Sequence, residues 1–430
     1  AIRGTVEPVT PEAFARFLPA WQHVDGSAGG RPLEGLDGVL ATIEQLAGVP
    51  LPASAWKSLI LPSRVTDYTP AMLDELTSTG EVVWTGHGSL PGRDGWIALH
   101  PTDALPLTLV LPDDPEPPTV LEQQLLTAMS AGGAYFATQL AAMTGANEQD
   151  TVAALWNLTW TARVTNDTFA PVRALLGGGS QAHRAVRRTP RARMFRGTPL
   201  AATRSAASPR PPVGGRWSLL PEPSTDAALR GAASASLLLD RYGVVTRGSV
   251  QSEGVPGGFA QVYRILAGFE DAGHTRRGYF IEKLGAAQFA TSATVDRLRE
   301  FAALADPAPL QALTLAATDP ANPYGAALAW PGLAVAHRPG RKAGGLVTLV
   351  DGSLVLYLER GGRSALAFTD DENALAAAAR SLAETVRARR LDTLTIEQVS
   401  GVFVYGTPVG RALQAAGFVE SSRGLTLRAR

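Results

Sequence analysis

Residues Tyr242–Phe289 read YGVVTRGSVQSEGVPGGFAQVYRILAGFEDAGHTRRGYFIEKLGAAQF. Phe259, Val262, Leu266 and Phe269 fall three and four residues apart, which places them on one face of a helix. Gln261 and Arg264 lie three apart on the opposite side, where both can project into a groove. Gly273 suits the left-handed position just past a helix end. Arg276, Arg277 and Tyr279 then fall in what the spacing predicts to be a tight turn between two short strands. A polar segment carrying Arg247 and a Pro-Gly-Gly turn precede the helix. Support helix, recognition helix and basic hairpin, in that order, are the parts of a winged helix-turn-helix. Guanidiniums beside an aromatic ring suit phosphates and an unstacked base. Arg247, Gln261, Arg264, Arg276, Arg277 and Tyr279 are therefore candidate DNA contacts. The alternative is a winged helix whose helix packs on protein.

The same order of parts recurs upstream. Leu73-x-x-Leu76, Leu155-x-x-Leu158 and Leu266-x-x-Phe269 each close a helix, and four residues later come Gly80, Ala162 and Gly273. A strand and a turn follow, then Gly95-Trp96, Arg216-Trp217 and Gly278-Tyr279. This register predicts an internal repeat whose copies differ in the turn: short in the third, medium in the first, very long in the second. The long turn, residues 177–215, holds Arg184, Arg187, Arg188, Arg191, Arg193, Arg196, Arg204 and Arg210 with no acid. Its composition cannot bury a core, so it reads as an expanded basic wing, with Arg187 and Arg188 as further candidate DNA contacts. Pro112–Pro118 (PDDPEPP) reads as a linker. Downstream, Gly344–Glu359 reads as a hairpin around Asp351-Gly352, followed by a strand at Ser364–Phe368 and an alanine-rich helix at Asn373–Arg389. The expected architecture is α+β: tandem winged-helix modules followed by a small β-barrel, or a curled sheet, with packed helices. The expected units are 1–115, 116–221, 222–305 and 306–430. Arg338, Arg341 and Lys342 add a basic cluster to the last unit and are further candidate DNA contacts, to phosphates.

Composition narrows the chemistry. The chain has 430 residues, 39 basic against 39 acidic, and no cysteine. That removes disulfides, thiolate metal sites and cysteine nucleophiles. Its six histidines are scattered, so no metal site is expected. The only lysines are Lys57, Lys283 and Lys342, and none follows a Gly-x-x-x-x-Gly, so no ATP-binding loop of the Walker type is present. Gly86–Gly92 (GHGSLPG) has the wrong spacing for a dinucleotide fingerprint and reads as a glycine-rich hairpin turn. No apolar run is long enough to span a membrane, and no signal peptide is seen. A start at Ala1 without Met fits a piece of a longer protein.

Five runs carry a family resemblance: Leu73–Gly88 (LDELTSTGEVVWTGHG), Val164–Pro171 (VTNDTFAP), Gly254–Phe259 (GVPGGF), Arg276–Phe280 (RRGYF) and Asp319–Gly325 (DPANPYG). Over essentially the whole chain the sequence resembles the C-terminal region of bacterial large helicase-related proteins. The resemblance implies a DNA-repair helicase of superfamily 2 whose motor, with its ATP and Mg, lies outside this chain. It also implies DNA as partner, single-stranded or damaged, self-association into a homo-oligomer, and a cytoplasmic, nucleoid location. Winged helices plus a barrel also resemble DNA glycosylases that carry a Gln-x-Gln motif. That motif is absent; the nearest run is Gln251-Ser252-Glu253. Glu253, with Gln251, is thus the candidate catalytic pair for base removal, since a glycosylase must position water beside an extruded nucleotide. A solvent-facing helix residue is the plainer reading of Glu253. A purely structural assembly platform is a third possible function.

Overall fold

The computed structural model describes residues 7–24, 26–27, 31–113, 116–177, 214–285, 287–303, 310–333, 337–388 and 390–429. Among these, one order of elements recurs three times: helix, short extended segment, helix, helix, two-stranded hairpin. In the first module these are helix Gly35–Gln45, strand β1 (Leu51–Pro52), a helical segment through Ala53–Ala55 and Trp56–Ile60, helix Pro70–Ser78, β2 (Val82–Leu90) and β3 (Asp94–Pro101). The second has helices Val120–Met129, Ala137–Thr144 and Glu148–Trp160, then β4 (Val164–Asn166) and β5 (Trp217–Leu219). The third has helix Ala227–Tyr242, β6 (Val244–Val245), helices Arg247–Ser252 and Gly258–Asp271, then β7 (Arg276–Gly278) and β8 (Gln288–Ala290). In each, the segment after the first helix pairs antiparallel with the last strand: Leu51 with Ile97, Tyr135 with Trp217, Val244 with Ala290.

Local chemistry explains where these helices start and stop. Asn147 accepts from the Asp150 N–H at 2.9 Å, and Thr119 and Glu122 form a reciprocal capping box. Gly80, Ala162 and Gly273 all take positive φ, at 81°, 54° and 80°. The register expected from spacing is therefore a shared left-handed helix exit. The second module makes that exit with an alanine, at a cost of roughly 1–2 kcal/mol relative to glycine.

The wings depart from expectation. The first is the tight one, with only residues 91–93 between β2 and β3. In the third, residues 279–287 join β7 to β8, so Arg276 and Arg277 are strand residues and the tip begins at Tyr279. The Gln288 side chain organises that longer tip. Its Oε1 accepts from the Phe280 and Ile281 N–H groups, and its Nε2 donates to the carbonyls of Ile281, Leu284 and Gly285. Val9 joins the tip as well, bridging to Ile281 with hydrogen bonds to Phe280 and Glu282. The expected wing of the second module, with Arg187 and Arg188, lies outside the described residues.

The first two modules are locked by close packing. A Cβ at Gly95 would lie 2.4 Å from the Trp160 ring, and one at Gly86 would lie 2.5 Å from the Thr159 carbonyl. These glycines let the first hairpin press on helix Glu148–Trp160, beside stacked Trp156 and Trp160. The early helix Pro11–Trp21 packs its Phe14, Phe17 and Leu18 into one core with Leu238, Phe289 and Phe301 of the third-module region.

Beyond helix Ser292–Ala303, the expected barrel is not closed among the described residues. Strands β9 (Ala312–Ala316), β10 (Leu346–Val350), β11 (Ser353–Leu358), β12 (Ser364–Ala367), β14 (Gln398–Val399) and β15 (Val402–Phe403) form one open six-stranded sheet, order β15-β14-β12-β11-β10-β9. Strands β13 (Thr393–Ile396), β17 (Gly424–Arg428) and β16 (Val419–Ser421) make a separate three-stranded sheet. Closure is unnecessary because both faces of the larger sheet are covered. Leu346, Leu356, Leu358 and Ala365 face a core shared with helix Glu372–Arg387. Val347, Leu349, Leu354 and Tyr357 enter the core of the third module. Asp351 and Gly352 turn the β10–β11 hairpin with φ of 47° and 86°, the positive pair that a two-residue hairpin turn needs.

Candidate nucleic-acid interface

The exposed side of the third module carries a ladder of cations and rings. The Arg247 guanidinium lies 5.3 Å from the Phe259 ring centroid. Phe259 meets Tyr263 edge to face at 6.1 Å, and the Arg277 guanidinium lies 5.7 Å from the Tyr263 ring. Four positions from two helices and the wing strand thus form one row. Phe259 and Tyr263 are one helical turn apart, so their rings share a face. Arg277 is held by its hydrogen bond to the Tyr263 hydroxyl and by Glu270, whose carboxylate is 3.5 Å away and also accepts the Arg277 N–H at 3.0 Å. Both guanidiniums are solvent-accessible. A pair of aromatic rings flanked by cations is the chemistry of a single-strand binding platform.

The other expected contacts fall in different places. Arg276 is exposed beside the ladder on β7, and Tyr279 is exposed while its hydroxyl accepts the Lys283 N–H at 2.7 Å. Arg264 is exposed on helix Gly258–Asp271. Gln261 lies on the far side of that helix and lines a cleft against the first module. Arg338 and Lys342 are exposed on the segment before β10. Arg341 does not match its expected role. Its guanidinium donates to the carbonyls of Thr318, Asp319, Asn322 and Tyr324, at 2.7–3.3 Å. Burial lowers its pKa, and nearby Tyr242, Asp319 and Glu253 oppose that shift. Arg341 is spent on tying the Asp319–Gly325 turn.

Glu253 belongs to a polar network. Arg241 donates to both its oxygens, at 2.8 and 2.6 Å, and the Tyr242 hydroxyl donates at 2.7 Å. Burial, then the Glu253 charge, pushes the Tyr242 pKa up, so the phenol stays a donor. Arg241 also donates to the Gln45 and Ala47 carbonyls of the first module. Its own carbonyl accepts from Gln22, whose Oε1 accepts from Arg64. Arg64 closes the network with a bidentate pair to Asp319, at 2.7 and 3.1 Å. Gln251 is exposed and stands outside it.

Glu253 also borders a cleft. This space of about 410 Å³ lies between the first module (Pro50, His87, Leu107, Val110) and the third (Arg230, Ser234, Glu253, Val255, Gln261, Ile265). A chain of hydroxyls and imidazoles backs His87. The Thr108 hydroxyl donates to the Ala104 carbonyl at 3.0 Å, which leaves it to accept from His100 Nδ1 at 2.7 Å. His100 Nε2 then accepts from Thr85 at 2.9 Å, and Thr85 accepts from His87 Nε2 at 2.7 Å. That assignment satisfies every bond in the chain and leaves His87 Nδ1 as an unprotonated acceptor. Burial lowers His87 to about 4, and burial with His87 nearby lowers His100 to about 3. Both rings are neutral near pH 7.

Among the described residues, no group of three or more His, Asp or Glu side chains is placed to hold a metal, and no helix is long and apolar enough to cross a membrane. Sequence reasoning missed three functional candidates. Tyr263 is a ladder ring, whose only signal was its spacing of four from Phe259. Phe259 was read as core. His87 was absorbed into a glycine-rich turn.

Comparison with known proteins agrees with the fold. Two family models, both described as winged-helix domains of the large helicase-related protein and numbered third and fourth, match residues 9–102 and 224–309. The Lhr helicase/probable uracil glycosylase of Mycolicibacterium smegmatis is 50% identical over 443 aligned residues, covering 100% of this chain and 29% of that protein. The Lhr helicase/uracil glycosylase of Escherichia coli is 39% identical over 450, covering 99% of this chain and 29% of its own length. The chain therefore spans less than a third of the curated relatives it matches.

Proposed function

The chain belongs to the large helicase-related protein family, and from that premise we propose that it is the DNA-binding region of a DNA-repair helicase, gripping single-stranded DNA through its third module. The observation that carries this reading is the Arg247–Phe259–Tyr263–Arg277 ladder, with Arg264 and Arg276 exposed nearby. Bases stack on the rings while the guanidiniums meet phosphates. ATP and Mg act, on this reading, in parts of the relatives that this chain does not span, and the protein works on cytoplasmic, nucleoid DNA. The test is fluorescence anisotropy of a labelled oligonucleotide across salt concentrations. Four arginines on phosphates give a slope of log K against log salt of about −3 for single strands. A slope near zero sinks the reading.

A second reading, removal of a damaged or deaminated base, is favoured by the Glu253-bordered cleft and by the glycosylase named in both relatives. Uracil-containing DNA incubated with the chain and assayed for abasic sites tests it. Glu253→Gln abolishes the activity if Glu253 positions water; activity retained in that variant moves catalysis elsewhere. Homo-oligomerisation is supported by exposed Val402 and Phe403 on the sheet-edge strand β15 and Val419 on β16. Light scattering distinguishes an oligomer from a monomer.

A further inference from the structure

We infer that Glu270 is a positioning residue for the DNA grip, whose carboxylate holds the Arg277 guanidinium on the Tyr263 ring in the orientation that meets a phosphate. The inference rests on the DNA-binding reading above and adds to it the group that sets one of its contacts.

Glu270 stands where an acid is disfavoured twice. It is the next-to-last residue of helix Gly258–Asp271, whose last turn holds no basic residue, and the negative end of the helix dipole repels a carboxylate. It also lies beside a cation of the ladder, where its charge repels the phosphates that the cation attracts. What it holds there explains the placement.

Glu270 meets Arg277 at two points. One oxygen accepts the Arg277 backbone N–H at 3.0 Å, and the other lies 3.5 Å from Nε. The first contact is open because the sheet order β6-β8-β7 leaves β7 at an edge, where one row of backbone groups has no strand to pair with. A fixed turn brings the two residues together. The His274 and Thr275 N–H groups donate to the Phe269 carbonyl at 2.9 and 3.3 Å, and the Thr275 hydroxyl donates to the Leu266 carbonyl at 3.1 Å. Strand β7 therefore starts beside the last turn of the helix.

The other side of the guanidinium meets a ring that is itself fixed. Arg277 Nη1 donates to the Tyr263 hydroxyl, and the guanidinium lies 5.7 Å from the ring centroid. Tyr263 packs edge to face on the buried Phe289 ring at 5.3 Å, and Phe289 is the cross-strand partner of Arg277. Glu270 thus faces Nε and Tyr263 takes Nη1, which leaves Nη2 without a partner among the described residues. A guanidinium already held in one orientation loses less freedom when a phosphate binds it.

Two conservative variants separate reach from charge. Glu270→Asp keeps the charge and withdraws the carboxylate by one methylene. Glu270→Gln keeps an acceptor at full reach and removes the charge. Both keep a polar group at a partly exposed position, so the fold is retained, with the urea midpoint as the check. Anisotropy of a labelled single-stranded oligonucleotide, with the whole chain at fixed salt, reads the affinity. Glu270→Asp is expected to weaken binding roughly two- to tenfold, the cost of ordering one long side chain on binding. Glu270→Gln binds at least as tightly as wild type, because the hold remains and the repulsion is gone. With Arg277→Ala in the background, Glu270→Asp no longer weakens binding. Wild-type affinity in Glu270→Asp overturns the positioning role, and so does a loss that persists beside Arg277→Ala. A loss in Glu270→Gln as large as that in Glu270→Asp overturns it too. Arg277→Ala binding as tightly as wild type removes Arg277 from the grip and the inference with it, while the rest of the ladder stands. Wild type that fails to bind single-stranded DNA overturns both readings.

Discussion

Replacing Asp319 by Asn tests the polar network that joins the modules. Arg64 and Asp319 are 0% and 1% exposed and share two hydrogen bonds. Asn keeps the shape and can still accept from the Ala321 N–H, which Asp319 does at 2.8 Å. What disappears is the charge. Arg64 then sits in the interior with neutral acceptors only: Gln22 Oε1, the Ile60 carbonyl and the Ser63 hydroxyl. Breaking one side of a buried pair costs about 3–5 kcal/mol, because the surviving charge stays desolvated. Removing both charges at once, Arg64→Met with Asp319→Leu, leaves no such orphan and recovers most of the loss. Urea unfolding followed by tryptophan fluorescence reads the cost. Hydrogen exchange locates it, with protection falling in helix Pro11–Trp21 and around Ser63–Val65. A cost for Asp319→Asn below about 1 kcal/mol would mean the pair behaves like a screened surface pair, and the reasoning fails.

Other predictions follow from single features. His87 and His100 have folded pKa values near 4 and 3, below the ordinary 6.5. The unfolded chain therefore binds more protons on acidification, so stability is complete above pH 6.5 and falls as pH drops toward 4, by about 3 kcal/mol for His87 alone. His87→Gln flattens that part of the stability–pH curve; an unchanged curve refutes the burial argument. Gly95→Ala places a methyl 2.4 Å from the Trp160 ring and is expected to cost about 1–3 kcal/mol, read as a lowered urea midpoint. Arg277→Ala removes one ladder cation and lowers the salt slope on single-stranded DNA by about 0.7, while Arg341→Ala lowers stability and leaves the slope unchanged.

The repeat was legible because it rests on local rules. Helix periodicity, the residue past the helix end and the following strand all lie within one stretch, and Gly80, Ala162 and Gly273 take the same left-handed conformation. The Asp351-Gly352 hairpin was legible for the same reason. The third wing was not. Its length is fixed by Gln288 closing the loop from one side and Val9 pairing from far away, and neither is a local signal. Whether the last sheet closes was not legible, because strands buried on both faces show no alternation, and β10 is apolar or buried at every position. Arg341 looked like a phosphate contact because sequence shows a charge and hides the carbonyls around it. In the ladder, Arg247 and Arg277 were legible as exposed cations. The rings between them were not, since an aromatic at core spacing looks the same whether its outer edge is covered or stacked under a guanidinium.

The bridge from Val9 to the third wing carries a consequence for the order of assembly. On the ribosome Val9 is made before its partners at Phe280–Glu282, which appear only after both intervening modules have been made. The segment around Val9 must therefore stay undocked until the third wing has been made, and its pairing closes a loop enclosing two modules that can already have folded as units. Closing so long a loop adds only slowly to the entropy cost but delays the contact. The clasp on the third wing is thus expected among the last contacts to form, and the DNA-facing side of that module takes its final shape only when the chain's earliest described segment comes home.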